Sequence, residues 1–196
     1  MSDSDEGARQ AAPSGRKDAR RNKEALLDAA VTVFVTSGVD APVRDIAAKA
    51  GVGLGTIYRH FPTRADLIIG VYRHQVDACA DAGPALLATS PPHTALGQWI
   101  NLFVDFLVTK HGLAAVLQAD NAGFEALHAY FLDRLLPVCT ELLEAAAVAG
   151  EIRPDIDAYQ LMRGVGNLCI GAESDPRYDA RRMAELLVAG LRRPHH

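Results

Sequence analysis

From residue 16 onward, apolar positions recur at helical spacing. Within 17–37, Ala25, Leu26, Ala29, Ala30, Val33 and Phe34 form one stripe, the pattern of an amphipathic helix. Gly38 follows directly, in the place of a C′ glycine. Val43, Ile46, Ala47 and Ala50 fall at i, i+3, i+4 and i+7 and predict a second helix over 43–50. Leu54, Ile57 and Phe61 predict the buried face of a third over 54–61. Thr63 opens a fourth, reaching 88, and Asp66 completes a Thr-x-x-Asp variant of the capping box. After the break at Ser90-Pro91-Pro92, a fifth helix over 94–110 carries Leu96, Trp99, Ile100, Phe103, Phe106 and Leu107. Residues 112–120 read as a short sixth. A seventh over 123–149 carries Phe124, Leu127, His128, Phe131, Leu135, Val138 and Leu142. Gly150 and Pro154 mark the next break, and helices over 157–172 and 178–191 close the chain. No run alternates as a strand does, so the expected fold class is all-α, with about nine helices.

Residues 1–15 are rich in Ser, Asp, Gly and Ala, lack an apolar period and read as a disordered tail. The 196 residues are 49% hydrophobic and 22% charged, an ordinary globular composition that sets aside fibrous and low-complexity classes. The most apolar stretch, 99–108, contains Asp105 and falls short of the roughly 20 residues a membrane helix needs, so no membrane partner is expected. No apolar secretory core stands near the N-terminus. Cys79, Cys139 and Cys169 are odd in number and scattered, as expected of reduced thiols packed as small hydrophobes in a cytoplasmic protein. There is no metal-ligand spacing, phosphate loop or nucleophile–base pair, so neither catalysis nor a cofactor is expected.

Charge sharpens the picture. The net charge of −4 divides unevenly: residues 16–75 hold 10 Lys+Arg against 6 Asp+Glu, and residues 76–196 hold 9 against 15. A basic segment on an acidic body suits a chain that meets a polyanion at one end. Arg16, Lys17, Arg20, Arg21 and Lys23 read either as a solvated helix end or as an arm that touches phosphate or the minor groove.

Residues 43–62 read VRDIAAKAGVGLGTIYRHFP. The two short helices meet at Gly51, where the chain must turn with positive φ, and small Ala47 lets them cross closely. That is a helix-turn-helix, whose second helix can enter a major groove. Gly55, Thr56, Arg59 and His60 lie off its buried face. Thr56 and His60 can donate hydrogen bonds to phosphate or base edges, and Arg59 can reach guanine O6 and N7.

On these residues, above all RDIAAKAGVGLGTIYRHFPTRADL, the chain resembles the DNA-binding domain of the TetR family of bacterial transcriptional repressors, and its Ala- and Arg-rich composition is similar to that of actinobacterial members. The resemblance implies a helix-turn-helix DNA-binding domain over 16–62 and a regulatory and dimerisation domain over 63–193, with the functional boundary in the fourth helix and no linker. It implies a homodimer on double-stranded operator DNA, with Arg44, Leu54, Gly55, Thr56, Tyr58, Arg59, His60 and Arg64 facing DNA. Two positions depart from the family pattern. Pro42 stands where a capping Ser or Thr is usual, which leaves Asp40 to accept the free N–H groups, and Gly53 stands where Ser is frequent.

In the body, Trp99, Phe103, Phe106, Phe124, Tyr130 and Phe131 concentrate on two helices. They read as core packing or as an aromatic-lined cavity for a hydrophobic small-molecule effector. The candidate ligand set is Trp99, Phe103, Phe106, Phe124, His128, Phe131 and Arg134, with Gln118, Asp120 and Asn121 as polar anchors. The resemblance implies that the last two helices pair with a partner's, which makes Met162, Val165, Cys169, Met183 and Leu187 the candidate dimer interface. A ligand-released repressor leads. An activator or ligand-independent regulator, and more distantly an all-helical carrier or enzyme, are the alternatives.

Overall fold

The computed structural model describes residues 12–117, 121–172 and 175–193, with the side chains of 21–108, 123–172 and 175–193. Among them are eight α-helices and no strand: α1 (Ala12–Ser37), α2 (Val43–Ala50), α3 (Leu54–His60), α4 (Arg64–Thr89), α5 (Pro92–Leu117), α6 (Asn121–Val148), α7 (Ala158–Leu168) and α8 (Ala180–Ala189). One isolated antiparallel bridge pairs Ile152 with Arg192. The all-α expectation holds, with two corrections. Residues 12–15, expected in the tail, belong to α1, because Pro13 sits in the first turn, where its missing N–H would have no partner. The predicted fifth and sixth helices are a single α5 through Gly112, since glycine weakens a helix interior by about 1 kcal/mol without ending it.

The chain divides into two compact units after Val71, inside α4. In the first, Leu26, Ala30, Phe34, Ile46, Ala47, Ile57, Phe61, Leu67 and Ile68 are buried. Gly51 ends α2 in the left-handed region at φ 67°, and Val52 N donates to Ala47 O at 3.0 Å, so the turn into α3 is closed by backbone alone. The capping box forms as expected: Asp66 N donates to Thr63 Oγ1 at 3.1 Å, and Thr63 N donates to Asp66 Oδ2 at 3.0 Å. At α2 the structure differs from expectation. Pro42 holds the N-cap with no side-chain cap bond, and the first turn closes instead through Asp45 N to Pro42 O at 2.9 Å. Asp40 does not act as the cap.

In the second unit, Trp99 is fully buried, stacks on Phe103 at 5.5 Å and donates its Nε1–H to Cys79 O at 2.9 Å. An added Cβ at Gly83 would run into Val138, so α4 and α6 approach closely there. Asp157 caps α7 by accepting from Gln160 N, and Asp179 caps α8 by accepting from Arg182 N. The three cysteines are free and buried, and burial pushes Cys79 and Cys139 up to about 12, so they carry no thiolate chemistry near neutral pH.

Candidate nucleic-acid interface and ligand cavity

The first candidate surface is built by α2 and α3. Ile57 is the buried anchor of α3, and the rest of that short helix is turned outward: Leu54 is 45% exposed and Tyr58 52%, with Gly55, Arg59 and His60 also exposed and Thr56 half-buried. Leu54 therefore leaves the buried face that its spacing with Ile57 and Phe61 predicts and joins the outward one. A helix of seven residues turns only about twice, and one apolar residue per turn anchors it. An added Cβ at Gly55 would meet nothing within 4 Å, so this surface is unobstructed. Arg44 stands on α2 with its side chain 78% exposed and, among the described residues, Asp45 as its ion-pair partner at 3.7 Å. Arg21 is exposed, whereas the side chains of Arg16, Lys17 and Arg20 lie outside the described residues. Lys23 places its Nζ 5.6 Å from the Phe61 ring centroid.

Arg64 has a structural occupation that its sequence context does not reveal. Its Nη2 donates to the carbonyls of Val39 and Ala41, the latter at 2.9 Å, and so ties the start of α4 to the α1–α2 loop. Arg64→Ala leaves both carbonyls short of a donor. The expected result is a loss of about 1–2 kcal/mol in the stability of this unit, read as a lower urea midpoint for its unfolding. An unchanged midpoint would show the tie to be dispensable.

The second candidate site is a cavity of about 440 Å³ between α5, α6 and α7. Phe103, Leu107, Phe124, Phe131, Leu132 and Met162 provide its apolar wall. His128 lines it too, stacked 6.4 Å from Phe124 and 5.9 Å from Phe131. Four predicted ligand residues, Phe103, Phe124, His128 and Phe131, are thus brought together. Three are not. Trp99 lies one ring behind the wall, with Phe103 in front of it. Phe106 is held in the core between Tyr72 at 5.4 Å and Phe131 at 5.9 Å. Arg134 faces α4: its Nε donates to Asp77 at 2.8 Å, Asp81 stands at 3.5 Å, and Tyr130 Oη donates to the same Asp77 carboxylate at 2.7 Å. That partnership holds the Arg134 guanidinium above its ordinary pKa, chiefly through the hydrogen bond to Asp77. Gln118 and Asp120 lie outside the described residues, as does the side chain of Asn121.

The sequence reading missed the α7 contribution. Tyr159, Arg163, Gly166, Asn167 and Ile170 line the cavity. The i, i+4, i+8 spacing of Tyr159, Arg163 and Asn167 is the signal that could have found them. Met162, Val165 and Cys169, expected at a dimer interface, are buried at 4%, 0% and 0% within the single chain, because the apolar stripe of α7 is its own core face. On α8, Met183 is 40% exposed and Leu187 half-buried.

A helix-turn-helix unit followed by a helical body with its own cavity is the make-up of a DNA-binding regulator. Residues 26–71 match the family described as bacterial regulatory proteins, tetR family, and residues 91–193 match the transcriptional regulator SbtR-like C-terminal domain. A TetR transcriptional regulator from Streptomyces coelicolor is 37% identical, with a TM-score of 0.76 over 88% of this chain and 99% of that one. A TetR regulatory protein from Mycobacterium vanbaalenii is 31% identical, with a TM-score of 0.69 over 91% and 99%. The HTH-type transcriptional repressor KstR2 of Rhodococcus jostii is 26% identical across 92% of this chain and 95% of its own length. The chain belongs to the TetR family of transcriptional regulators, which are not enzymes.

Proposed function

We propose that this regulator is a repressor that binds a palindromic operator as a homodimer and is released by a predominantly apolar small molecule held between α5, α6 and α7. The observation that carries the effector reading is the cavity itself, whose volume lies within the roughly 300–1,000 Å³ typical of small-molecule sites. DNA contact is assigned to Arg44, Leu54, Gly55, Thr56, Tyr58, Arg59 and His60, with Arg20 and Arg21 as an arm on phosphate. The domain assignment follows: residues 16–62 read DNA, and residues 63–193 carry the effector and the dimer contact. The effector favours the conformer whose two recognition helices are wrongly spaced for the operator, and DNA is released by population shift. Asp77 gives that shift a route to α4, since it takes hydrogen bonds from both Tyr130 and Arg134 of α6.

The test is a mobility-shift titration of the upstream DNA of its own gene, with and without candidate ligands. Gly166→Leu is the informative variant. Gly166 lines the cavity and an added Cβ there meets nothing within 4 Å, so the backbone accepts a side chain at this point, and leucine favours the helix by about 0.5–1 kcal/mol. Operator affinity without ligand is expected to stay at the wild-type level while ligand release is lost. Retained release would place the effector elsewhere. Trp99 is the single tryptophan and stacks on a wall residue, so its emission should respond to ligand in the wild type and not in this variant.

A further inference from the structure

Within that cavity, apolar and polar groups are segregated by helix. The α5 and α6 side is Phe103, Leu107, Phe124, Phe131 and Leu132, joined by Met162 of α7 and by Ile170 just past its end. The polar groups other than His128 come from α7, where Tyr159, Arg163 and Asn167 succeed one another at i, i+4 and i+8 and so stand in one row along the helix. Among the described residues, Arg163 is the one charged residue that lines the space. Among the same residues, no acidic side chain lines it and Arg163 makes no ion pair. A guanidinium is charged at every physiological pH and presents a planar fork of donors that matches carboxylate, sulfonate or phosphate oxygens. Arg163 is exposed, as are Tyr159 and Asn167, so the row stands on the solvent-facing side of this space, beside the apolar wall.

We infer that the effector is an amphiphilic anion: an apolar body lies against the Phe124–Phe131 wall, and one acidic head is gripped by Arg163, with the Tyr159 hydroxyl and the Asn167 amide as neutral donors on the same row. This rests on the ligand-cavity reading above and narrows it to a class. It also moves the cation to α7, since Arg134 is engaged by Asp77 on another face of α6. Apolar groups alone oppose a buried charge, whereas a charge-assisted fork beside them selects for it. Arg163 is therefore the specificity-determining residue of the site.

Two fluorescent probes of matched shape separate the class from the cavity. Anilinonaphthalene sulfonate carries an aromatic body and an acidic head, and N-phenylnaphthylamine carries the same body without the acid. The full-length wild type is expected to bind the sulfonate with one saturable site per chain, and about ten-fold or more tighter than the neutral probe, the scale of one charge-assisted hydrogen bond. Arg163→Gln should erase that preference by weakening the sulfonate alone, and Arg163→Lys should restore part of it. Gly166→Leu should exclude both probes. If both probes bind equally well and Arg163→Gln changes neither, the anion class is overturned while the cavity stands. If neither probe binds, or Gly166→Leu leaves both bound, the cavity reading itself fails.

Discussion

Replacing Arg59 or Arg44 by alanine is expected to cost about 1–3 kcal/mol of operator binding each and to relax the preference for particular base pairs. Both side chains are exposed. Among the described residues Arg44 pairs with Asp45 at 3.7 Å, a solvent-exposed pair worth less than about 1 kcal/mol, so its guanidinium can be redirected to a guanine edge at little cost. The contrast is Arg21→Ala, which should weaken every sequence alike and lower the log–log salt slope by about 0.9, the signature of one phosphate contact. Mobility shifts on the operator, on single-base-pair variants and on a scrambled duplex, at two salt concentrations, separate the two behaviours. Equal binding of operator and scrambled duplex by the wild type would remove the claim of specific recognition.

Leu186→Glu is expected to give a monomer that keeps its helical content and loses operator affinity by roughly 100-fold or more, because the second half-site is no longer tethered to the first. Leu186 is 49% exposed and Met183, one turn earlier on α8, is 40% exposed. Leu187 lies against α7, with its Cδ2 3.7 Å from where a Cβ on Gly164 would stand. A glutamate at Leu186 therefore enters solvent in the free chain, and it opposes association only if α8 packs on a partner, as proposed. Val165 cannot serve this test: at 0% exposure a charge there would be buried without a partner and would unfold the chain. Light scattering at micromolar concentration checks the result. A wild-type monomer that still binds operator tightly would overturn the dimer.

The helix-turn-helix was legible almost residue by residue because its determinants are local. The positive φ at Gly51, the Thr63–Asp66 box and the buried Ile46, Ala47 and Ile57 each follow from neighbours within a few positions. The ligand cavity was legible only in part. Its aromatic ring set lies on α5 and α6, which are apolar on more than one side, so periodicity names the helices without saying which ring ends in the core and which in the wall. Phe131 lines the cavity and Phe106, stacked on it at 5.9 Å, does not.

What composition and spacing determined by themselves is the all-α class, the two short helices and their turn, and the presence of an aromatic body. Tertiary structure alone decided the partners of the charges and the direction of the stripes. Arg64 reaches carbonyls 25 and 23 positions away, and Arg134 finds Asp77 57 positions away. The stripe of α7 that looked free for a partner turns into its own core, and the exposed row beside that stripe carries Arg163. The reason is physical. Hydrogen bonds within a helix and the burial of one face depend on residues a turn apart, which the chain order contains. A guanidinium on a long flexible side chain is satisfied by whichever acceptor the packing of distant helices brings within about 3 Å, which chain order does not contain.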